Sequence, residues 1–310
     1  MTIGHSTISS NTASSDGGGI NLSWGTATIT DSTISGNGAS NAGGGIYSVQ
    51  TLAMTNCTVG GNSAGTYGGG IWAFNSATVA LTDSIAAYNY LSDGSAYADI
   101  SNISATISGN YTISGYDLSG VGTGNMAYTY HTGGKGDSLF ADYEEIAADT
   151  VYRPLLADNG GSTETATLAD CSVALEGGVR TGYYDDAGST KYAFYNGTNW
   201  VKVEDGSTTV SGVTEITTDQ RGVAFIGIPD VGSYEGPATP EMDLKLGSVV
   251  IADGGSCSIG NYTAGNTVDV EFTINNSGVS NLMLPGTPII TLTGSDQFSV
   301  VDLPVSPVAP

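Results

Sequence analysis

One four-residue pattern occurs three times near the start of the chain, as Ile8-Ser9-Ser10-Asn11, Ile34-Ser35-Gly36-Asn37 and Val59-Gly60-Gly61-Asn62. The first residues of these copies are 26 and then 25 positions apart, and a looser fourth copy, Ile85 to Asn89, begins 26 positions later. A fixed spacing of this length indicates a structural repeat rather than a flexible Gly-rich linker. The spacing therefore predicts a chain that winds several times along the same path.

Two further segments keep the same spacing. One is a glycine triplet followed by isoleucine, found at Gly17 to Ile20, Gly43 to Ile46 and Gly68 to Ile71. The other is an apolar residue followed by Thr and by Asp or Asn, found at Ile29-Thr30-Asp31, Met54-Thr55-Asn56 and Leu81-Thr82-Asp83. Three short strands per repeat, separated by turns, are typical of a right-handed parallel β-helix, a solenoid of the pectin-lyase type. We therefore predict an all-β protein whose β-helix coils occupy residues 1–115.

Stacked coils bring equivalent residues over one another at about 4.8 Å, so their apolar side chains should form continuous internal ladders. The predicted ladders are Ile8, Ile34, Val59 and Ile85; Ile20, Ile46 and Ile71; and Ile29, Met54 and Leu81. We expect Asn11, Asn37 and Asn62 to occupy a corner, where each amide bonds the next and the backbone takes a left-handed conformation. Cys57 falls in the column of Ser32 and Ser84, which predicts a small buried thiol rather than a nucleophile.

The composition narrows the classes of function. Seven Lys and Arg face 30 Asp and Glu, for a formal net charge of −23, and such a surface repels phosphate and anionic lipid. We therefore expect no nucleic-acid binding and no membrane insertion in this chain. The three cysteines, Cys57, Cys171 and Cys257, are too far apart in sequence to indicate a zinc site or a disulfide framework. Residues 1–5 lack the features of a signal peptide, and we expect the chain to be a fragment.

The GGGI and IxxN signatures resemble the GGA-I and FxxN repeats of polymorphic outer-membrane proteins, which are surface adhesins with β-helical passengers. A second resemblance covers residues 99–235. Its blocks are Pro154 to Thr163, Ser172 to Glu176, Asp219-Gln220-Arg221-Gly222 and Asp230 to Glu235. Together these blocks resemble the signature of choice-of-anchor Q domain proteins. Glu176 and Ala224 depart from the residues that are usual in that family. The resemblance implies that residues 116–235 close the β-helix as a β-rich cap in a secreted bacterial protein.

An apparent insertion, about residues 180–213, interrupts that region. Asn196-Gly197 between two aromatic strands is a strong hairpin signal. Tyr192, Phe194 and Trp200 are candidate ligand contacts, because aromatic rings can stack on sugars. The alternative, which we favour, is that these rings form cross-strand pairs that hold a small sheet together.

The end of the chain predicts a third unit. Residues 236–241 form a Pro-containing linker, and Val268, Val270, Phe272 and Ile274 alternate with polar residues as in a half-buried strand. Residues 275–278 indicate a turn, and residues 288–292 and 298–301 indicate further strands. This stretch resembles the start of a choice-of-anchor D or similar immunoglobulin-like module. It predicts a truncated β-sandwich over residues 242–310.

An enzyme is the main alternative, since some β-helices are polysaccharide lyases or glycoside hydrolases. A lyase of this class needs a basic side chain near a calcium cluster, and residues 1–134 contain no Lys or Arg. Among the coil acids, Asp31 and Asp83 share one coil position with Asn56 between them. They should be about 9.6 Å apart, at the upper limit for an inverting pair of carboxylates. We interpret them as turn residues and predict no catalytic residue.

Other polar groups also have structural interpretations. Asp185-Asp186 indicates a turn, with a metal site as the less favoured alternative. Asp219-Gln220-Arg221 indicates a structural ion pair or capped turn, and His5 and His131 indicate loop positions. Calcium is a candidate ligand because the surface is rich in Asp, although no calcium-binding nonapeptide repeat is present and no site can be assigned.

These observations favour a secreted or cell-surface, adhesin-like protein that contacts an extracellular glycan or a neighbouring cell without catalysis. The alternatives are the polysaccharide-degrading enzyme and a passive surface stalk.

Overall fold

The computed structural model describes residues 1–116, 118, 124–127, 139–147, 151–169, 172, 174, 177–203, 206–225, 229–236, 242–247, 249–251, 256–259, 268–276, 282, 284, 290 and 299–308. The chain divides into two compact units, Met1–Gly236 and Pro237–Pro310. All helix or strand structure in the described ranges is β-strand. Those ranges contain no helix long and apolar enough to cross a membrane.

Three parallel sheets form the walls of a β-helix of about four turns, as the repeat predicts. Numbered in chain order, the first sheet contains β1 (Thr2–Gly4), β2 (Thr7–Ser9), β5 (Thr26–Ser35), β8 (Thr51–Gly60), β11 (Thr78–Thr82), β12 (Ile85–Ala87), β15 (Thr106–Asn110), β16 (Ile113–Ser114) and β17 (Met126–Ala127). The second contains β3 (Thr12–Ala13), β6 (Gly38–Ala39), β9 (Ser63–Ala64) and β13 (Tyr90–Leu91). The third contains β4 (Ile20–Leu22), β7 (Ile46–Ser48), β10 (Ile71–Phe74) and β14 (Ile100–Ile103).

The strand register places the predicted apolar residues over one another. Ile8 pairs with Ile34 and Ile34 with Val59. The other two ladders are also present: Ile20, Ile46 and Ile71 continue to Ile100, and Ile29, Met54 and Leu81 lie in one column. These side chains share one core that is closed to solvent, because each turn buries its apolar face only against its neighbours.

The predicted position of Ile85 is wrong by one residue. Val59 pairs with Ala86, whereas Ile85 pairs with Thr58 and faces the opposite side of the sheet. Because successive side chains alternate between faces, this shift takes Ile85 out of the main core. It packs instead with Tyr88, Phe140 and Val231 in a second apolar cluster outside the coils.

The three glycines before each isoleucine have separate roles. In the second turn, Gly43 has a φ of 66°, and a side chain on Gly44 would place its Cβ 2.1 Å from the Ser63 carbonyl oxygen. A Cβ on Gly45 would lie 2.7 Å from the Gly70 carbonyl oxygen and 3.1 Å from the Asn62 amide. The triplet therefore combines one left-handed residue with two positions of close backbone approach.

A ladder of asparagines runs along one corner. The Asn11 Nδ2 donates to Asn37 Oδ1 (3.0 Å), Asn37 to Asn62 (2.9 Å), and Asn62 to Asn89 (2.8 Å). The expected left-handed backbone, however, belongs to the residue before each asparagine. These residues are Ser10, Gly36, Gly61 and Tyr88, whose φ angles lie between 58° and 69°. The asparagine backbone is thereby free to donate its own N–H to the next amide oxygen along the corner.

Residues 139–236 form a side cover that packs along the outer face of the first sheet. The cover contains the hairpin of β18 (Tyr143–Ala147) and β19 (Val151–Pro154). It also contains an antiparallel sheet of β20 (Thr181–Asp186), β21 (Ser189–Tyr195), β22 (Trp200–Lys202) and β23 (Thr214–Glu215), which includes the predicted hairpin around Asn196-Gly197. Gln220 and Ser233 fasten the cover to the column of Thr7, Thr33 and Thr58.

The second unit contains a three-stranded antiparallel sheet of β24 (Met242–Leu246), β25 (Val249–Ile251) and β26 (Phe272–Asn276). Of the predicted half-buried strand, Phe272 and Ile274 lie in β26, whereas Val268 and Val270 precede it; Ile274 is half-buried and Phe272 is 44% exposed. Residues 275 and 276 belong to β26 rather than to a turn. The linker residues 237–241 and most of the predicted strand residues 288–292 and 298–301 lie outside the described ranges, and residues 290 and 299–301 are not in strands.

Candidate functional site

The outer face of the third sheet carries an aromatic face, formed by Tyr47, Tyr67, Trp72 and Phe74. Strand alternation directs it outward: Ile46 and Ile71 enter the core, so the residues that follow them, Tyr47 and Trp72, lie on the outer face of the sheet. Trp72 pairs in register with Tyr47, and Phe74 lies two residues further along the same strand. Tyr67 lies in the loop between β9 and β10, just before this strand.

Three of these rings are nearly parallel. The Tyr67 and Trp72 rings have centroids 4.7 Å apart at an interplanar angle of 16°, and the Trp72 and Phe74 rings have centroids 6.2 Å apart at 13°. Trp72 is only 6% exposed, whereas Tyr67 is 47% and Phe74 38% exposed. Solvent therefore reaches the stack mainly through Tyr67 and Phe74, while Trp72 holds their orientation.

Polar side chains flank the aromatic face. Asn21 pairs in register with Tyr47, and Ser101 pairs with Trp72. Asp16 accepts a hydrogen bond from the Asn41 amide at 2.7 Å. Burial, together with the charge of Asp16, raises the pKa of Tyr47, so its hydroxyl stays neutral at physiological pH. The face thus combines ring surface with neutral hydrogen-bonding groups and one nearby carboxylate.

The inserted sheet uses its aromatic residues mainly for packing. Phe194, a candidate ligand contact, is 1% exposed and packs with Ala80, Val201 and Val203, so that prediction is wrong. Tyr192 is half-buried, and burial raises its pKa. Trp200 is half-exposed and pairs with Tyr195 across the hairpin, with ring centroids 5.6 Å apart. The pair of Tyr195 and Trp200 is a cross-strand contact of the expected kind.

Trp200 belongs to a smaller surface cluster with a charge. The Arg180 guanidinium lies 5.0 Å from the Tyr195 ring centroid and 5.6 Å from that of Trp200. The same guanidinium donates two hydrogen bonds to the Glu215 carboxylate, at 2.5 and 2.7 Å. Because Arg180 is already held by Glu215 and only one pair of aromatic rings is present among the described residues of the cluster, this cluster is the weaker candidate.

The acids considered for catalysis have structural roles. Asp31 and Asp83 do share one column with Asn56, as expected, and all three have left-handed backbones. The side cover buries them: Asp31 is 2% and Asp83 1% exposed. Asp185 accepts the Gly188 N–H in the turn of its hairpin. Asp31 and Asp83 are thus buried turn residues, and Asp185 belongs to an exposed hairpin turn.

Asp219 and Arg221 form a buried structural ion pair, with Arg221 Nη2 2.6 Å from Asp219 Oδ2. The Asp219 carboxylate also accepts the backbone N–H groups of Val223 and Glu235. The Arg221 guanidinium lies 3.9 Å from the centroid of the Tyr234 ring and donates to the Glu235 carbonyl oxygen. These bonds tie the two sequence blocks 219–222 and 230–235 together inside the side cover.

The remaining predicted groups lie apart from the aromatic face. Cys57 is buried beside Ser32 and Ser84, and burial raises the pKa of its thiol far above the ordinary range. His5 is exposed at a left-handed bend, Cys257 is exposed, and His131, Cys171 and Glu176 lie outside the described residues. Within the ranges that the structure describes, no three His, Cys, Asp or Glu side chains converge to hold a metal ion. The calcium prediction is thus not assigned to a site.

Sequence reasoning missed the aromatic face. The available signal was the position after each GGGI isoleucine, which alternation directs outward and which holds Tyr47 and then Trp72. Comparisons of the chain with protein-family models, with curated proteins and with solved structures find no match in any of the three.

Proposed function

We propose that this protein is a non-catalytic, carbohydrate-contacting protein of the cell exterior, and that it binds its ligand through the aromatic face of the β-helix. The observation that carries the proposal is the stack of three nearly parallel rings, Tyr67, Trp72 and Phe74, on the outer face of a rigid sheet. The apolar C–H face of a sugar ring packs well on an aromatic ring held in a fixed orientation, because little conformational entropy is lost on binding.

The charge of the protein restricts the ligand. With a formal net charge of −23, the surface disfavours acidic polysaccharides and favours neutral or cationic ones. The amide of Asn21 and the hydroxyl of Ser101 flank the rings and have the chemistry that pairs with sugar hydroxyls. A neutral glycan therefore fits the face best.

The buried position of Asp31, Asp83 and Asp219 supports binding rather than hydrolysis. Each accepts hydrogen bonds from neighbouring parts of the fold; the side cover separates Asp31 and Asp83 from bulk water, and Asp219 is buried within the cover itself. The resemblance of residues 154–235 to choice-of-anchor Q proteins supports a location outside the cell. Protease treatment of intact cells that make the full-length protein should degrade it while a cytoplasmic marker survives.

Binding is tested by a glycan array and by pull-down with cell-wall polysaccharide. Tyr67→Ala and Phe74→Ala should each weaken binding roughly tenfold, the equivalent of one lost ring contact. Trp200→Ala is the matched control in the inserted sheet, and it should bind like the parent protein.

Three results would contradict this proposal in different ways. Loss of binding only in Trp200→Ala would move the site to the inserted sheet. Release of reducing sugars from a bound polysaccharide would favour the enzyme. Absence of binding to any glycan or cell-wall fraction would favour the passive stalk.

A further inference from the structure

A column of left-handed residues runs along the first sheet, and the side cover contacts its middle part. His5, Asp31, Asn56, Asp83 and Tyr111 occupy equivalent positions in successive turns, with φ between 44° and 51°. Asn56 Nδ2 donates to Asp31 Oδ1 at 3.0 Å, and the side cover bonds to the same column. The Thr181 hydroxyl lies 3.1 Å from Asn56 Oδ1, and the Val179 N–H donates to Asp83 Oδ1 at 3.2 Å.

One carboxyl oxygen of Asp83, Oδ2, is buried without a hydrogen bond from the described residues. A charged carboxylate in such a position loses hydration worth several kcal/mol, so the neutral acid is strongly favoured. Burial accordingly raises the pKa of Asp83 well above its ordinary value, and the nearby acids Asp230, Glu235 and Asp31 raise it further.

The other titratable groups that face this column are mostly acids, so they do not stabilise an ionised Asp83. From the coils come His5, which is exposed, and Asp31, and from the cover come Asp219, Asp230 and Glu235. Among these cover acids, Asp219 is paired with Arg221. Tyr192 and Cys57 lie near Asp31, and burial raises the pKa of both, so they stay neutral and add no charge.

We propose that the side cover is a proton-dependent clasp, held on the coils while Asp83 and Asp31 are protonated and released when they ionise. Release would uncover the column of Thr7, Thr33 and Thr58, to which Gln220 and Ser233 now bond. The proposal does not depend on what the aromatic face binds, since that face lies on another sheet.

The sign of the effect follows from linkage. The docked state holds these protons more tightly than the open state, because docking removes the carboxyls from water. The contribution of the two acids to docking is therefore complete below their ordinary carboxyl pKa. It declines as the pH rises through the docked pKa values, which are about 6 for Asp31 and well above the ordinary carboxyl value for Asp83.

Hydrogen–deuterium exchange of the whole chain, corrected for the intrinsic rate, tests the clasp at about pH 5 and about pH 8. Peptides from residues 177–203 and 229–236 should lose protection roughly tenfold or more at the higher pH. Peptides from the coil residues 44–73 should keep theirs. Equal protection of the cover at both values, or parallel loss in cover and coils, would overturn the proposal.

Variants separate the clasp from general effects of pH. Asp83→Asn removes the titrating group while keeping its shape, and the cover of this variant should lose most of its pH dependence; Asp31→Asn should show a smaller change in the same direction. Asp93→Asn alters an acid in an exposed loop and should behave like the parent. A full pH dependence in folded Asp83→Asn would refute the assignment. If that variant does not fold, Asp31→Asn and the parent chain decide.

Discussion

At the scale of single residues, the asparagine corner shows how one side chain serves two turns. Asn62 is fully buried, and its amide nitrogen donates to Asn89 Oδ1 and to the Ile34 carbonyl oxygen. Its amide oxygen accepts both the backbone and the side-chain N–H of Asn37. At its far end the ladder reaches Asp99, whose carboxylate accepts the last of these donors.

Replacing Asn62 by alanine should therefore leave donors and acceptors of two turns unpaired inside the protein. We expect Asn62→Ala to lower the free energy of unfolding by about 3 kcal/mol, since each buried unpaired polar group costs about 1–3 kcal/mol. Asn11→Ala removes the exposed first member of the same ladder and should cost about 1 kcal/mol or less. Urea denaturation of both variants measures the difference, and equal losses would show that the ladder adds nothing beyond a surface bond.

At the scale of the elements, the turn between the second and third sheets is built around close backbone contact. Gly44 lies where the chain passes the carbonyl of Ser63 in the next turn, and no larger residue fits without moving one of the two strands. Gly38 offers a matched comparison, because it belongs to the neighbouring strand β6 and a Cβ there would meet only side-chain atoms at ordinary contact distance, the Ser63 hydroxyl at 3.5 Å and the Thr12 methyl at 3.9 Å.

Gly44→Ala should separate two adjacent turns and reduce stability by about 2 kcal/mol or more, whereas Gly38→Ala should change it by less than about 1 kcal/mol. Thermal melts followed by circular dichroism provide the comparison. A neutral Gly44→Ala would mean that the turns are not packed as closely as described.

The repeat predicts the register of the first three turns correctly and that of the fourth turn incorrectly. The fourth turn contains one residue more than the pattern suggests. A spacing of 26 residues therefore places the apolar Ile85 over Val59, one position before Ala86, which is the residue that pairs there. The asparagine spacing gives the right answer: three positions separate Ile34 from Asn37 and Val59 from Asn62, and the same interval from Asn89 leads back to Ala86.

At the scale of the whole molecule, folding buries several carboxyl groups in the first unit. Burial raises the pKa of Asp31 to about 6 and that of Asp99 to about 7, against an ordinary value of 3.8. A folded state with raised carboxyl pKa values takes up protons on folding. Its extra stability is complete below the ordinary value and is lost as the pH rises through about 6 and then about 7.

The melting temperature should therefore fall on going from about pH 5 to about pH 8, by an amount on the order of 5 °C. Repulsion among surface acids acts in the same direction, but 1 M salt screens it to about 3 Å and has little effect on buried groups. A pH dependence that survives in 1 M NaCl would identify the buried acids as its cause. A dependence that disappears in salt would assign it to the surface instead.

The sequence by itself determined the winding of the chain: the ladders of aliphatic residues, the asparagine corner and the glycine turns. Each of these depends on contacts between equivalent positions of successive repeats, and a regular spacing makes such contacts visible in one dimension. Only the tertiary structure decided what lies on the outer faces. The side cover buries Asp83, Phe194 and the threonine column but leaves Tyr67 and Phe74 exposed, because long-range packing without a period determines which outward residues meet a partner.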